Sequence, residues 1–364
     1  MRTILAILLV AAPAAAQDKK DEKRAAVDVV FCVDCSGSMG GVIQTAKEKI
    51  WTIVGEIAKA KPTPVLRIGI IGYGDADRRF RFFELTDDLD AAYGNLLTFK
   101  ADIGGDEWVG LAVRKAAEEM KWNTSKEALR LIFVVGNETA RQGPAEHDYA
   151  KTVPLAIARD IMVNTIFCGE GVDETWREIA KLGDGASTVI AAQGGAVAIE
   201  TPMDKELIDL NAKLNGTYLP YGRKGAEGQK QQVLQDSNSH SNGGASNLAD
   251  RAGAKAWSGY NCRGWDLVDA AKEKEFKLES VKDEELPEEM RKMTMDERRA
   301  HIEKKRAERD AIVKQVQETG VKRAKFIQEE MKKRNLNQDS AFDEAVRRVI
   351  REQAAKRGYA FEGK

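Results

Sequence analysis

The sequence predicts an α/β fold: a Rossmann-like, doubly wound and mostly parallel six-stranded sheet, followed by a charged α-helical C-terminal region. Between residues 27 and 191, short runs of β-branched and other apolar residues alternate with amphipathic stretches of helical periodicity. The runs are apolar almost throughout, which is typical of parallel strands that helices cover on both faces. Beyond Trp265, charged residues of both signs dominate and the strand pattern ends.

Six strands and five helices follow one another in the first part of the chain. The first strand, rich in valine, ends at Asp34 and reads as a central strand. Open α/β sheets bind ligands beyond the carboxyl ends of their strands, so the residues after position 33 are the first candidates for a site. The predicted strands span residues 27–34, 66–73, 79–85, 129–135, 161–168 and 186–190, and the predicted helices span residues 42–60, 89–99, 108–121, 145–159 and 173–181.

The first residues predict an export signal. Met1-Arg2 is followed by an apolar run and by three alanines before Gln17. A basic start, a short hydrophobic run and a small-residue site indicate a signal peptide over residues 1–16, cleaved after Ala16. No later stretch reaches the roughly 18 to 20 apolar residues of a membrane span. We therefore expect a secreted or periplasmic protein.

The rest of the chain divides by composition. A charged linker, residues 17–26, precedes the α/β domain at 27–195. Gly, Ser, Asn and Gln are frequent within residues 222–253, which predicts a loop-rich linker with short helices over 196–265. In the charged helical region, residues 266–364, the capping-box pattern Thr294-Met295-Asp296-Glu297 predicts a helix to about residue 319, and a last helix is predicted at 342–356. This region either packs on the domain as a helical hairpin or forms a coiled coil for oligomerisation.

The overall charge and the cysteines exclude several classes of function. The chain has 57 Lys+Arg and 58 Asp+Glu, a net charge of −1, which gives no general attraction to nucleic acid. Four cysteines are too few for a disulfide scaffold, and their spacing does not suggest structural zinc. The sequence does not decide whether Cys35 and Cys262 form a disulfide.

The motif that carries chemistry stands at the end of the first strand, where Asp34-Cys35-Ser36-Gly37-Ser38 has the form D-x-S-x-S. One carboxylate and two hydroxyls at alternate positions of a turn are hard oxygen donors that can converge on a small divalent cation. Magnesium would keep water in its remaining coordination positions. The motif therefore predicts a cation site at the carboxyl end of the first strand.

This motif, with the glycines and helix that follow it, resembles the metal-ion-dependent adhesion site (MIDAS) of von Willebrand factor type A (VWA) domains. The string Ile68-Gly69-Ile70-Ile71-Gly72-Tyr73-Gly74-Asp75 and the later Gly104-Gly105-Asp106 are similar to the secreted bacterial branch of that family. The likeness covers roughly residues 25 to 195. It implies the VWA fold and a second metal loop around Asp106.

The resemblance also implies a ligand set and a partner. Asn137 stands where the family usually has an Asp, and Glu107-Trp108 stands where the bacterial branch often has a Pro-Glu pair. The implied ligands of Mg²⁺, or of Mn²⁺ or Ca²⁺, are Asp34, Ser36, Ser38, Asp106 and Asn137. The implied function is a non-enzymatic binding or adhesion module that captures an acidic side chain of a protein partner through the metal.

Two other classes of function are an enzyme and a structural protein. An Asp34 phosphohydrolase would want a second Asp where Ser36 stands, and the local string does not fit the G-x-S-x-G of a serine hydrolase. The histidines, His147, His240 and His301, are isolated from one another, so an enzyme is not expected. The alternative is a structural or assembly protein with a degenerate metal site, in which the helical tail makes the contacts.

Overall fold

The computed structural model of the chain describes residues 26–77, 79–171, 173–195, 198–336 and 341–361. The predicted signal peptide and all but the last residue of the linker after it lie outside the described residues. No helix among the described residues is both long and apolar enough to cross a membrane.

A six-stranded sheet in the order β4-β3-β1-β5-β6-β7 forms the centre of the fold. β1 lies between β3 and β5 and is parallel to both, while β4 pairs with β3 in the antiparallel direction. The predicted doubly wound, mostly parallel sheet is thereby confirmed. The strands are β1 (Ala26–Asp34), β2 (Ala60–Lys61), β3 (Val65–Tyr73), β4 (Arg81–Thr86), β5 (Leu129–Gly136), β6 (Met162–Cys168), β7 (Ser187–Ile190) and β8 (Ala360–Phe361).

Both faces of the sheet are covered by helices, because side chains along each strand alternate between the faces. On β1, Val29 and Phe31 face one apolar cluster with α1, α2 and α10, whereas Val30 and Cys32 face the other with α3, α4 and α5. The helices are α1 (Gly40–Ile57), α2 (Leu89–Leu97), α3 (Val109–Glu119), α4 (Tyr149–Ile157), α5 (Glu174–Leu182), α6 (Asp204–Asn215), α7 (Gly225–Lys255), α8 (Leu267–Ala270), α9 (Met295–Lys333) and α10 (Phe342–Lys356).

The end of the chain returns to the sheet and completes one of its faces. Phe342 of α10 packs on Phe31 of β1 with ring centroids 6.4 Å apart. Gln353 exchanges amide hydrogen bonds of 2.7 and 3.1 Å with Asn164 of β6. After α10, β8 pairs with β2. The helical segment between β7 and α10 is therefore an insertion between two parts of the same α/β core.

Residues 222–253, for which the sequence predicted a loop, instead lie almost entirely in α7, a helix of 31 residues kinked at Gly243 and Gly244. The small and polar residues serve close packing. Gly228 lies against Trp265, where a Cβ would come within 2.4 Å of the indole ring. The Gln232 side chain is buried and donates to the Tyr260 hydroxyl. Tertiary contacts thus override the weak local helix propensity of this segment.

Buried ion pairs attach the inserted helices to the domain and to one another. Arg251 of α7 donates to Asp90 of α2 over 2.7 Å and to Asp236 over 2.5 Å. In α9, Arg323 donates to Asp204 and Asp250, both over 2.6 Å. The helical region therefore packs on the α/β domain, while oligomerisation through these helices stays a prediction.

Helix α9 and the cysteines bear on two questions that the sequence raised. The predicted capping box at Thr294 and Glu297 is confirmed, and α9 continues past the predicted end to Lys333. All four cysteines are buried and free, so Cys35 and Cys262 are not joined by a disulfide.

Candidate metal centre

The D-x-S-x-S motif forms a tight turn between β1 and α1. Asp34 is the last residue of β1 and is fully buried. One carboxylate oxygen of Asp34 accepts from the Ser36 backbone N–H over 2.7 Å, and the other accepts from the Ser36 hydroxyl over 3.0 Å. The hydroxyls of Ser36 and Ser38 lie 3.1 Å apart. The structure thus brings together the three oxygen donors of the motif.

Neighbouring strands and loops fix this turn from both sides. The Cys35 N–H donates to the Tyr73 carbonyl over 2.8 Å, and the Ile103 N–H donates to the Cys35 carbonyl over 3.1 Å. Gly74, with φ at +133°, follows β3, and a Cβ on it would lie 3.1 Å from an oxygen of Asp34. Glycine therefore lets the end of β3 lie directly against the Asp34 carboxylate.

In the second loop, Glu107 and not Asp106 faces the motif. The Asp106 side chain is exposed, and its backbone carbonyl accepts from the Ala76 N–H over 2.8 Å. Glu107 is buried, and its carboxyl group lies close enough to the Asp34 and Ser36 side chains for both to affect its pKa. The sequence alone did not identify Glu107 as a candidate ligand. The adjacent Asp-Glu pair was the available signal, but spacing from the two glycines does not show which member turns inward.

The third loop begins at the end of β5, beside the end of β1, since Val33 pairs with Val135 in the sheet. Asn137 follows Gly136, the last residue of β5, and its side-chain carbonyl oxygen is buried with no hydrogen-bond partner in the described part of the chain. The negative charge of the neighbouring Glu138 acts on both Asp34 and Glu107. A buried acceptor without a donor is costly, and a cation or its bound water would satisfy it.

Gln142 connects the second and third loops, a role that no sequence pattern indicated. Its amide oxygen accepts from the Glu107 backbone N–H over 2.8 Å, while its amide nitrogen donates to the Glu138 carboxylate over 3.1 Å. Gly143, with φ at +92°, lies against the Trp108 ring, where a Cβ would come within 2.8 Å. These contacts hold Glu107 in its inward position.

Two neighbouring carboxyl groups dominate the electrostatics. Burial raises the pKa of Glu107 to about 8, and the Asp34 charge adds to this effect. Burial also raises the pKa of Asp34. Two carboxylates in contact cannot both ionise cheaply, so the pair must hold either a proton or a cation. Among the described residues no group of three or more His, Cys, Asp or Glu side chains could hold a metal ion, so hydroxyl and amide oxygens would have to complete this site.

We expect the cation-free chain to lose stability as the pH rises. Because the pKa of Glu107 is about 8 in the folded chain, above its ordinary value of 4.5, the folded state holds the proton more tightly. The stabilising protonation is complete below pH 4.5 and lost by pH 8. With EDTA present, the melting temperature should fall by roughly 3 °C between pH 5.5 and 8.5 relative to Glu107→Gln, measured by circular dichroism. If the melting temperatures of both proteins depend on pH in the same way, the raised pKa of Glu107 is contradicted.

The family comparison agrees with this architecture. Residues 28–200 match the model of the family described as von Willebrand factor type A domain. This part of the chain has the VWA fold, and domains of that family commonly bind divalent metal ions at a MIDAS. No curated protein matches the chain.

Similar solved structures include three of distinct origin. BatB from Bacteroides thetaiotaomicron is 19% identical, with 45% of this chain and 90% of that chain covered and a TM-score of 0.36. A von Willebrand factor type A protein from Catenulispora acidiphila is 19% identical, with 48% and 44% covered and a TM-score of 0.37. Proximal thread matrix protein 1 from the mussel byssus, with a zinc-occupied MIDAS motif, is 17% identical, with 46% and 42% covered and a TM-score of 0.36.

Proposed function

We propose that the chain is a secreted or periplasmic, non-enzymatic binding module that docks a protein partner through a divalent cation, Mg²⁺ or in its place Mn²⁺ or Ca²⁺. The observation that carries the proposal is the cluster of Asp34, Ser36, Ser38 and Glu107 at the end of β1. The unpartnered amide oxygen of Asn137 follows the end of the adjacent strand β5. All of these atoms are hard oxygen donors, which suit Mg²⁺. VWA domains often mediate adhesion or binding, which supports a binding function for this chain.

The charge at the site decides what the cation would do. Asp34 and Glu107 together balance one divalent ion, and the serine hydroxyls and the Asn137 amide add no charge. A coordination position left to solvent can then accept an oxygen donor of a partner, such as a carboxylate. The cation supplies a Lewis-acidic docking point, while the chain's own residues hold it and orient it. Asp106 stays available at the exposed rim.

Calorimetric titration with Mg²⁺ and Mn²⁺ tests this proposal. The full chain should bind one ion, and Ser36→Ala should weaken binding about tenfold because it removes a hydroxyl donor that also orients Asp34. Ser237→Ala is the matched control, since the Ser237 hydroxyl is exposed on α7 and donates only to its own helix. If the chain takes up no ion, or Ser36→Ala binds as tightly as the control, the proposal fails and the alternative of a degenerate site is favoured.

A further inference from the structure

The face of the molecule around the candidate metal centre is strongly acidic. It consists of the loops that follow the parallel strands together with the second metal loop, in the described residues 34–39, 74–77, 79–80, 100–108, 137–148, 169–171, 173 and 191–195. Together with Arg78, which stands between two of these segments in the sequence, they contain eleven acidic and four basic residues, a net charge of −7 with histidine neutral. The whole chain has a net charge of −1, so the remaining residues carry +6. The nearly neutral chain thus has a strongly negative face, and the rest of its residues carry the compensating positive charge.

Contacts join four of these segments, those after β1, β3 and β5 and the second metal loop, and the segments after β6 and β7 follow the strands that continue the sheet beside β5. The Ala76 N–H donates to the Asp106 carbonyl, which joins the loop after β3 to the second metal loop. Ile103 joins that loop to the motif, and Gln142 joins it to the loop after β5. One divalent cation would reduce the net charge of this face only to −5, so the face stays acidic when the site is filled.

Two of the basic side chains on this face already pair with carboxylates away from the rim residues named below. Arg79 pairs with Asp75 over 3.4 Å, and Arg141 pairs with Glu178 outside these loops over 2.8 Å. At the start of β4, Arg81 pairs with Asp102. In the part of the chain that the structure describes, no ion pair is formed by four exposed rim carboxylates, those of Asp77, Asp106, Glu146 and Glu170. Their charge is free to act on an approaching surface.

We infer that the partner of this face presents a lysine- and arginine-rich surface around the single oxygen donor that reaches the cation. The inference rests on the proposed cation-dependent docking and adds the chemistry of the partner to it. A carboxylate within an acidic surface would be repelled by the rim. Within a basic surface the same carboxylate reaches the cation while its neighbours pair with the rim carboxylates. Complementary charge of this kind raises the association rate and excludes wrong partners.

Two synthetic peptides of 13 residues serve as probes. Both have a central Asp, and six flanking positions are lysine in one peptide and glutamate in the other. In Mg²⁺ at low salt, the full chain should bind the lysine peptide at least about tenfold more tightly, and the difference should shrink as salt increases. Equal affinity for the two peptides, or tighter binding of the glutamate peptide, would overturn the inference.

Charge-reversal variants locate the effect on the molecule. Asp77→Lys, Glu146→Lys and Glu170→Lys combined should weaken lysine-peptide binding about tenfold and leave Mg²⁺ affinity within about threefold. The control combines Asp310→Lys, Glu318→Lys and Glu329→Lys on exposed positions of α9, which gives the same change of net charge. An equal loss in the control would overturn the inference. EDTA, or Asn in place of the central Asp of the peptide, tests the proposed function separately, since only cation-dependent docking responds to these changes.

Discussion

A chain that ends at residue 336 should fail to fold cooperatively. The truncation removes α10 and β8, and with them four large apolar side chains that are at most 3% exposed, those of Phe342, Val346, Val349 and Ile350. Burial of such side chains contributes about 1.5 to 3 kcal/mol each, and their sum is comparable to the net stability of a typical domain. Thermal unfolding followed by circular dichroism should show no sharp transition.

A point variant in the same helix gives a graded test of this expectation. Ile350→Ala leaves a cavity between α10 and the sheet and should cost about 2 to 5 kcal/mol in the free energy of unfolding. Val321→Ala is the control, because Val321 is 72% exposed on α9 and should change stability by less than about 0.5 kcal/mol. If the truncated chain melts at the wild-type temperature, residues 28–200 form an independent unit and α10 is not part of their core.

Glu107→Gln should weaken Mg²⁺ binding by about 100-fold or more, whereas Asp106→Asn should change it by less than about threefold. The two substitutions are matched, since each replaces a carboxyl group by an amide and keeps the size of the side chain. The expected difference arises because Glu107 is buried against Asp34 while Asp106 is exposed. Calorimetric titration at pH 7.5 measures both affinities.

The opposite result is equally informative. A large loss of affinity in Asp106→Asn with none in Glu107→Gln would restore the ligand set implied by the family resemblance. In that case the inward position of Glu107 would belong to the cation-free state alone. The loss of Mg²⁺ affinity in Asp34→Asn is the reference for both variants, because this substitution removes the carboxylate that the motif itself supplies.

The six strands of the sheet could be predicted from sequence because most of them are compact apolar runs with clear boundaries. Each of these strands begins and ends within two residues of its predicted bounds. The D-x-S-x-S turn was equally predictable, since its donors are neighbours in sequence. In both cases the information that specifies the structure is local.

The remaining features depend on contacts between residues that are distant in sequence. The position of α10 on the sheet depends on Phe342 meeting Phe31, and nothing in the local pattern of either segment shows it. In α9, Arg309 and Arg323 point inward because carboxylates from other helices surround them. A periodicity that counts arginine as solvated cannot find such a buried face.

The inward position of Glu107 was missed for a related reason. Adjacent residues in an irregular loop have no fixed periodicity, so sequence alone does not choose between Asp106 and Glu107. In the structure the Glu107 backbone N–H donates to Gln142, which belongs to a loop 35 residues further along the chain. Three-dimensional coordinates are needed to see this contact.

The location of a bound ion tests the central claim of cation-dependent docking most directly. Crystals of the full chain grown with Mn²⁺ in place of Mg²⁺ would give an anomalous signal at the metal position. We predict one strong peak at bonding distance from a carboxylate oxygen of Glu107 and a hydroxyl oxygen of Ser36 or Ser38, with Asp34 bound directly or through water. The absence of a peak between the β1–α1 turn and the second loop, in crystals that hold Mn²⁺ elsewhere, would contradict the account.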